Sequence, residues 1–128
     1  MNVGDAIPPL ERTLDLASLV AYSAATWDWY DIHYDADAAA RALLSAPLVD
    51  GQMLGALLAK QALDAFGGRG RITRMSFRFR SPVLAGETIR CEGVLEERTG
   101  RTVRLSQHVL VGDRVAVGPA LTEMELEA

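Results

Sequence analysis

One segment decides most of the architecture open to this chain: DGQMLGALLAKQALDAF, residues 50–66. It is the longest helical signal in the sequence. Asp50 is a natural N-cap, Gly51 opens the first turn, and Gly67 and Gly68 close the far end. Apolar or small residues occupy nearly every side, and only Lys60 and Asp64, at i,i+4 spacing, give a narrow polar stripe. A helix of that kind is normally buried, so the rest of the chain has to enclose it.

The residues that follow alternate. ITRMSFRF (72–79) puts Met75, Phe77 and Phe79 on one face, and Arg74, Arg78 and Arg80 point the other way. Segments 87–98, 101–112 and 113–126 continue in the same manner, punctuated by Pro82 to Gly86, Thr99-Gly100 and Gly112-Asp113. One buried helix and a run of antiparallel strands predict an α+β domain. The economical form is a sheet of four to six strands curled around a central helix at about 50–66. Ahead of it, residues 1–10 read as an extended lead-in held open by Pro8 and Pro9, and 11–16 as a short strand. Residues 18–26 read as a short helix capped by Asp15 or Ser18, and 35–44 as another with acids in its first turn. With no repeat or linker, residues 1–128 form one domain.

Composition narrows the partners. The net charge of −4 speaks against nucleic acid, whose binding needs an excess of cations. The single Cys91 excludes an internal disulfide and a cysteine metal cluster, and suits a reducing cytoplasm. The N-terminus lacks a basic region followed by an apolar run, and no apolar run approaches the roughly 20 residues of a membrane span, so a cytoplasmic, non-membrane protein is expected.

Chemistry concentrates in TWDWYDIHYDADAAARA, residues 26–42, with both tryptophans, two tyrosines, a run of aspartates and one of the two histidines. Asp28 and His33 are five residues apart. On a helix they would diverge by roughly 140°, and on a strand they would face opposite ways. They converge only if Trp29-Tyr30-Asp31-Ile32 is an irregular loop, and that stretch has neither period. A carboxylate beside an imidazole can orient the ring, fix its tautomer and activate a water. Local chemistry alone also describes a solvated loop. One histidine with scattered carboxylates lacks zinc-ligand spacing, so no metal is expected.

These residues resemble the hydratase motif of the MaoC-like, (R)-specific enoyl-CoA hydratases and dehydratases, which have the hotdog fold. The family motif runs Asp-x-Asn-Pro-x-His, then x-Asp-Pro-x-x-Ala, then Arg-Pro-Ile-Val-His-Gly-Met entering the central helix. This chain has Asp28-Trp-Tyr-Asp-Ile-His33, then Tyr-Asp35-Ala-Asp-Ala-Ala39, then Ala46-Pro47-Leu-Val-Asp50-Gly51-Gln. The likeness extends to Val3-Gly-Asp5 and to FRFRSPVLAGETI (77–89). Tyr30, Asp31 and Asp50 replace the motif's asparagine, its proline and its pre-helix histidine. The form Asp-x-x-Asp-aliphatic-His is similar to small subunits of steroid side-chain hydratases, which pair with a second MaoC-like chain.

The resemblance implies that Asp28 and His33 hold and activate water, and that the Gly51 N–H, beside Asp50, meets the thioester oxygen. The reaction would be reversible hydration of a trans-2-enoyl thioester to a (3R)-3-hydroxyacyl thioester. The acyl carrier would be coenzyme A or acyl carrier protein, no cofactor or metal would be needed, and the assembly would be a homodimer or a heterodimer. Gly51 and Asp50 can also be read as a plain helix start. Asp31 and Asp50, if close to His33, would favour its imidazolium. Arg74 and Arg78, in the arginine-rich 69–80 segment, could meet coenzyme A phosphates or form a solvated strand face. Trp27, Trp29, Tyr30 and Tyr34 could line an acyl tunnel or pack the loop, and His108 reads as structural. Two other functions suit the same fold: a thioesterase using Asp50, and a non-catalytic partner subunit.

Overall fold

The computed structural model describes residues 1–128. Strands β1 (Leu10–Thr13), β2 (Gly70–Phe79), β3 (Thr88–Thr99), β4 (Thr102–Val111) and β5 (Arg114–Leu126) form one antiparallel sheet in the order β1-β3-β4-β5-β2. Helices α1 (Leu16–Thr26) and α2 (Ala36–Arg41) precede the central helix α3 (Gly51–Ala65), which lies against the sheet. No helix is long and apolar enough to cross a membrane.

The strand alternation sorts side chains as the sequence predicts. Along β4, Val103, Leu105, Gln107 and Val109 are buried, and the residues between them are partly open. The central helix departs from expectation. It buries Leu54, Gly55, Leu58, Gln61 and Ala62, but Gln52, Ala56, Lys60 and Asp64 remain exposed. One curled sheet covers one side of a helix, so a protomer can bury only that side of α3.

Polar groups are also recruited into the core. The Gln61 amide donates to the carbonyls of Pro8 and Cys91, at 3.1 and 3.0 Å. The Gln107 amide donates to the Leu58 carbonyl and to Gln61 Oε1, both at 2.9 Å, and the Thr122 hydroxyl donates to Gln107 Oε1. Burial pushes the nearby Cys91 thiol up to about 11, so it stays protonated and inert.

Helix ends differ from the sequence reading for identifiable reasons. Asp15, not Ser18, caps α1: its carboxylate accepts from the Ser18 N–H at 2.8 Å, so the helix starts at Leu16 and β1 ends at Thr13. Helix α2 stops at Arg41 rather than 44 because Leu43 turns left-handed at φ 63°. The Leu44 N–H then bonds back to the Ala39 carbonyl. Trp27 ends α1 in the same way at φ 56°, with the Asp28 N–H bonded to the Ser23 carbonyl. Both positions usually take glycine, so neither stop was legible in the residue types.

Helix α3 and strand β2 meet through two glycines. A Cβ on Gly51 would stand 2.5 Å from Phe79 Cζ, and one on Gly55 would stand 2.7 Å from Phe77 Cζ. Four helical residues rise about 6 Å and two strand residues about 6.6 Å. The two phenyl rings therefore seat on successive turns, stacked edge-to-face at 5.6 Å. His108 is structural as expected: its ring packs on Gly118, where a Cβ would lie 2.2 Å from Cδ2.

Candidate active site

The left-handed close of α1 at Trp27 fixes where Asp28 emerges, and one 3-10 turn, Asp31–His33, then carries the histidine inward. The segment that leads into α3 holds that turn. The Leu48 N–H bonds to the Ile32 carbonyl at 2.8 Å, and the Val49 N–H bonds to the Val83 carbonyl at 2.8 Å. Asp50 arrives at the same point as the N-cap of α3, its Oδ1 accepting from the Gln52 N–H at 2.9 Å. Three elements thus bring together Asp28, His33 and Asp50, with one donor atom from each lying within 4.8 Å of the others.

The tautomer of His33 follows from its partner. Nδ1 lies 2.7 Å from the Leu48 carbonyl oxygen, which can only accept. Nδ1 therefore carries the hydrogen, and in the neutral ring Nε2 presents its lone pair to the cluster. Nε2 is 4.0 Å from Asp50 Oδ2, a gap that one water can bridge from the side. His33 and Asp50 are both buried, at 9% and 8% exposure.

The two carboxyl groups are pushed apart in acidity. Burial holds Asp50 above the usual carboxylate range, and the neighbouring Asp28 carboxyl adds to that against the Gln52 N–H and the His33 ring. Asp28 is held below its usual value, first by the neighbouring Asp50 carboxyl and then by the Tyr30 N–H. Tyr22, on α1, was missed in the sequence: burial raises its hydroxyl, and the charges of Asp50 and Asp28 raise it further. Nothing in its spacing marks it, since only the fold brings α1 over the cluster.

The donor set of Asp28, His33 and Asp50 is compact enough for one cation. It sits, however, at the helix N-terminus, whose partial positive charge works against one and favours negative charge or a developing oxyanion. The Gly51 N–H makes no hydrogen bond within the chain, so the first amide of α3 is free to receive an oxygen. Alanine at Gly51 is expected to change stability by no more than about 1 kcal/mol, because helix propensity gained offsets displacement of the Phe79 ring. On the hydration that the resemblance implies, it should still cost about 10²-fold in turnover by displacing the reacting group. Thermal melts beside kcat/KM on an enoyl thioester check both parts.

Other predicted positions lie elsewhere. Arg74 and Arg78 are exposed on the sheet face turned away from Phe77, Phe79 and α3, Arg74 opposite Glu123, and the structure does not bring them to the cluster. Trp27 is 80% exposed and stacks edge-on to Trp29, which meets Tyr34 in turn. Tyr30 stands edge-on to His33 at 5.7 Å.

A sheet curled around a helix, with a carboxylate and an imidazole gathered at the helix N-terminus, is the hotdog fold of MaoC-like proteins. The chain belongs to the family of MaoC-like domains, which residues 3–118 match. No curated protein matches it. Among solved structures it is similar to the ChsH1-ChsH2 complex from Mycobacterium tuberculosis, at TM-score 0.92 and 21% identity over 98% of each chain. It is also similar to the (R)-hydratase from A. caviae involved in PHA biosynthesis, at TM-score 0.91 and 22% identity over 98% of this chain and 97% of that one. The HadBC (3R)-hydroxyacyl-ACP dehydratase complex from Mycobacterium tuberculosis follows at TM-score 0.76 and 18% identity over 92% of each.

Proposed function

We propose that this protein hydrates a trans-2-enoyl thioester reversibly to the (3R)-3-hydroxyacyl thioester. The observation that carries this reading is the convergence of the His33 Nε2 lone pair with the Asp28 and Asp50 carboxyls at the start of α3, next in the chain to the unbonded Gly51 N–H. Water held by Asp28 and His33 gives up a proton to the pair as its oxygen bonds to the β-carbon. The electrons of the double bond move onto the thioester oxygen, where the Gly51 N–H and the α3 dipole stabilise the charge. A proton returned to the α-carbon completes the addition, and the reverse sequence is the dehydration.

A second hotdog chain, a copy or a relative, is the partner this reading implies. Strand β2 lies at the sheet edge and offers an unpaired side for it. The neighbouring ChsH1-ChsH2 and HadBC structures are complexes of that general kind.

The test is loss of the enoyl-thioester absorbance on mixing the protein with crotonyl-CoA and with a bulkier enoyl-CoA, with and without a candidate partner chain. Loss of the band with the thioester intact supports hydration. Release of free thiol would instead favour a thioesterase acting through Asp50.

Arg74 and Arg78 are proposed to meet the coenzyme A phosphates, which the pantetheine arm holds far from the thioester. The double change Arg74→Glu and Arg78→Glu is then expected to raise KM about tenfold with kcat little changed, as for loss of uniform binding. The KM ratio should shrink as salt is raised. An unaltered KM at low salt leaves them a solvated strand face.

A further inference from the structure

The motif position filled here by Asp50 places a second carboxylate against the first. Asp50 Oδ1 is occupied by the Gln52 N–H. Its other oxygen, Oδ2, is buried and receives no donor from the chain, although the residue is 92% withdrawn from solvent by its 8% exposure. An ionised carboxylate so placed leaves a charged oxygen desolvated, at a cost well above that of a neutral group. The groups facing it are Tyr22 from α1, Asp28 from the loop, His33 from the 3-10 turn and the N-terminus of α3, with no lysine or arginine among them. The Gln52 N–H and the α3 dipole favour the anion, but the burial of Oδ2 and the facing Asp28 carboxyl favour a proton there.

We infer that Asp50 and Asp28 share one proton, held on Asp50 Oδ2 and donated to Asp28, and that Asp50 is thereby a positioning residue. It keeps Asp28 ionised and leaves the His33 Nε2 lone pair free. The inference rests on the hydration reading for its catalytic consequence, but not for the shared proton itself. The upward displacement of Asp50 and the downward displacement of Asp28 agree with it. When Asp50 loses the proton, it no longer donates to Asp28, and two negative charges stand together. Asp28 then loses its fixed position beside the water, and hydration falls on the alkaline side.

Stability carries the same signature. Asp50 binds its proton more tightly folded than at its ordinary 3.8, so its contribution is full below that value and is lost as pH rises through the folded one. The melting temperature of wild type minus that of Asp50→Asn should therefore fall as pH rises from about 4.

The decisive measurement is carboxyl 13C NMR of the aspartates in wild type against pH. Asp50 titrating above an ordinary aspartate, Asp28 below, and Asp50 moving back down in Asp28→Asn is the expected result. Two ordinary, independent titrations overturn the inference, whether or not the protein hydrates anything. For the catalytic consequence, Asp50→Asn keeps a donor to Asp28 and should lower kcat/KM less than tenfold while moving the alkaline limb of its pH profile upward. Asp50→Ala, with no donor, should lose over tenfold. An unmoved alkaline limb in Asp50→Asn, with the carboxyl titrations as expected, overturns the positioning role alone. If no enoyl thioester is hydrated at all, the hydration reading fails while the NMR result still decides the shared proton.

Discussion

Alanine in place of His33 is expected to slow enoyl-thioester hydration by about 10²- to 10⁴-fold, the range a positioned acid–base group supplies. The protein should still fold. The ring makes one hydrogen bond, from Nδ1 to the Leu48 carbonyl, and the Leu48 N–H to Ile32 bond that pins the turn does not involve it. The loss of stability should therefore be about 1–2 kcal/mol, from one lost bond and a small void. Asp28→Asn should lower the rate to a similar degree, because an amide can accept from water but cannot hold the charge that stabilises an imidazolium. Residues that act as one unit are not additive in their effects. The double change Asp28→Asn with His33→Ala should thus be hardly slower than either single one. Stopped-flow or steady-state decay of the enoyl band, with circular dichroism to confirm folding, decides it. A His33→Ala protein that retains more than about a tenth of wild-type turnover would falsify the assignment of the ring to proton transfer.

How this site was legible in the sequence, and where legibility ended, follows from the range of the interactions. Asp15 and Asp50 were readable as helix caps because a cap reaches only two or three residues, and Asp35, read as a first-turn acid, proves to be a cap as well; all three accept backbone N–H groups there. Strands β2 to β5 were readable because alternation is a local period. The convergence of Asp28 with His33 could be posed as a condition, an irregular loop between them. The structure meets that condition with a left-handed residue and a single 3-10 turn. The left-handed residue is tryptophan, which carries none of the glycine signal that marks such positions, so the exit angle of Asp28 was unreadable. The proximity of Asp50 to Asp28 was unreadable for another reason. It depends on the Leu48 and Val49 hydrogen bonds to Ile32 and Val83, which join three separate stretches of chain. One signal was available and unused: two glycines four apart in the helix, and two phenylalanines two apart in the strand after it. Their repeats nearly match, and that match lays Phe79 against the very glycine whose amide is free.

The buried glutamines were the least visible feature, and they lead to the largest expected loss of stability. Gln61, Gln107 and Thr122 are each exposed by no more than 2%. They lie on α3, β4 and β5, and a polar residue on a predicted inner face gives no hint of a partner 46 positions away. In the folded chain both Gln107 amide hydrogens and its oxygen are used, which ties the middle of α3 to two strands. Gln107→Leu keeps the volume but strands Gln61 Oε1 without a donor and the Thr122 hydroxyl without an acceptor. At about 1–3 kcal/mol for each stranded group, the variant should lose about 3 kcal/mol. For a chain of this size that is a fall of roughly 10 °C in melting temperature. Removing the Thr122 hydroxyl together with its acceptor should cost less than this sum suggests, since an apolar group of the same shape needs no partner. The double variant Gln107→Leu, Thr122→Val, which leaves the Gln61 bonds to Pro8 and Cys91 in place, should therefore melt above Gln107→Leu itself, a coupling that independent sites would not produce. Urea and thermal denaturation of wild type, Gln107→Leu, Thr122→Val and the double variant provide the comparison. If Gln107→Leu melts with wild type, the network contributes nothing to holding α3 in the sheet, and apolar packing around Leu58 and Leu105 carries that task alone.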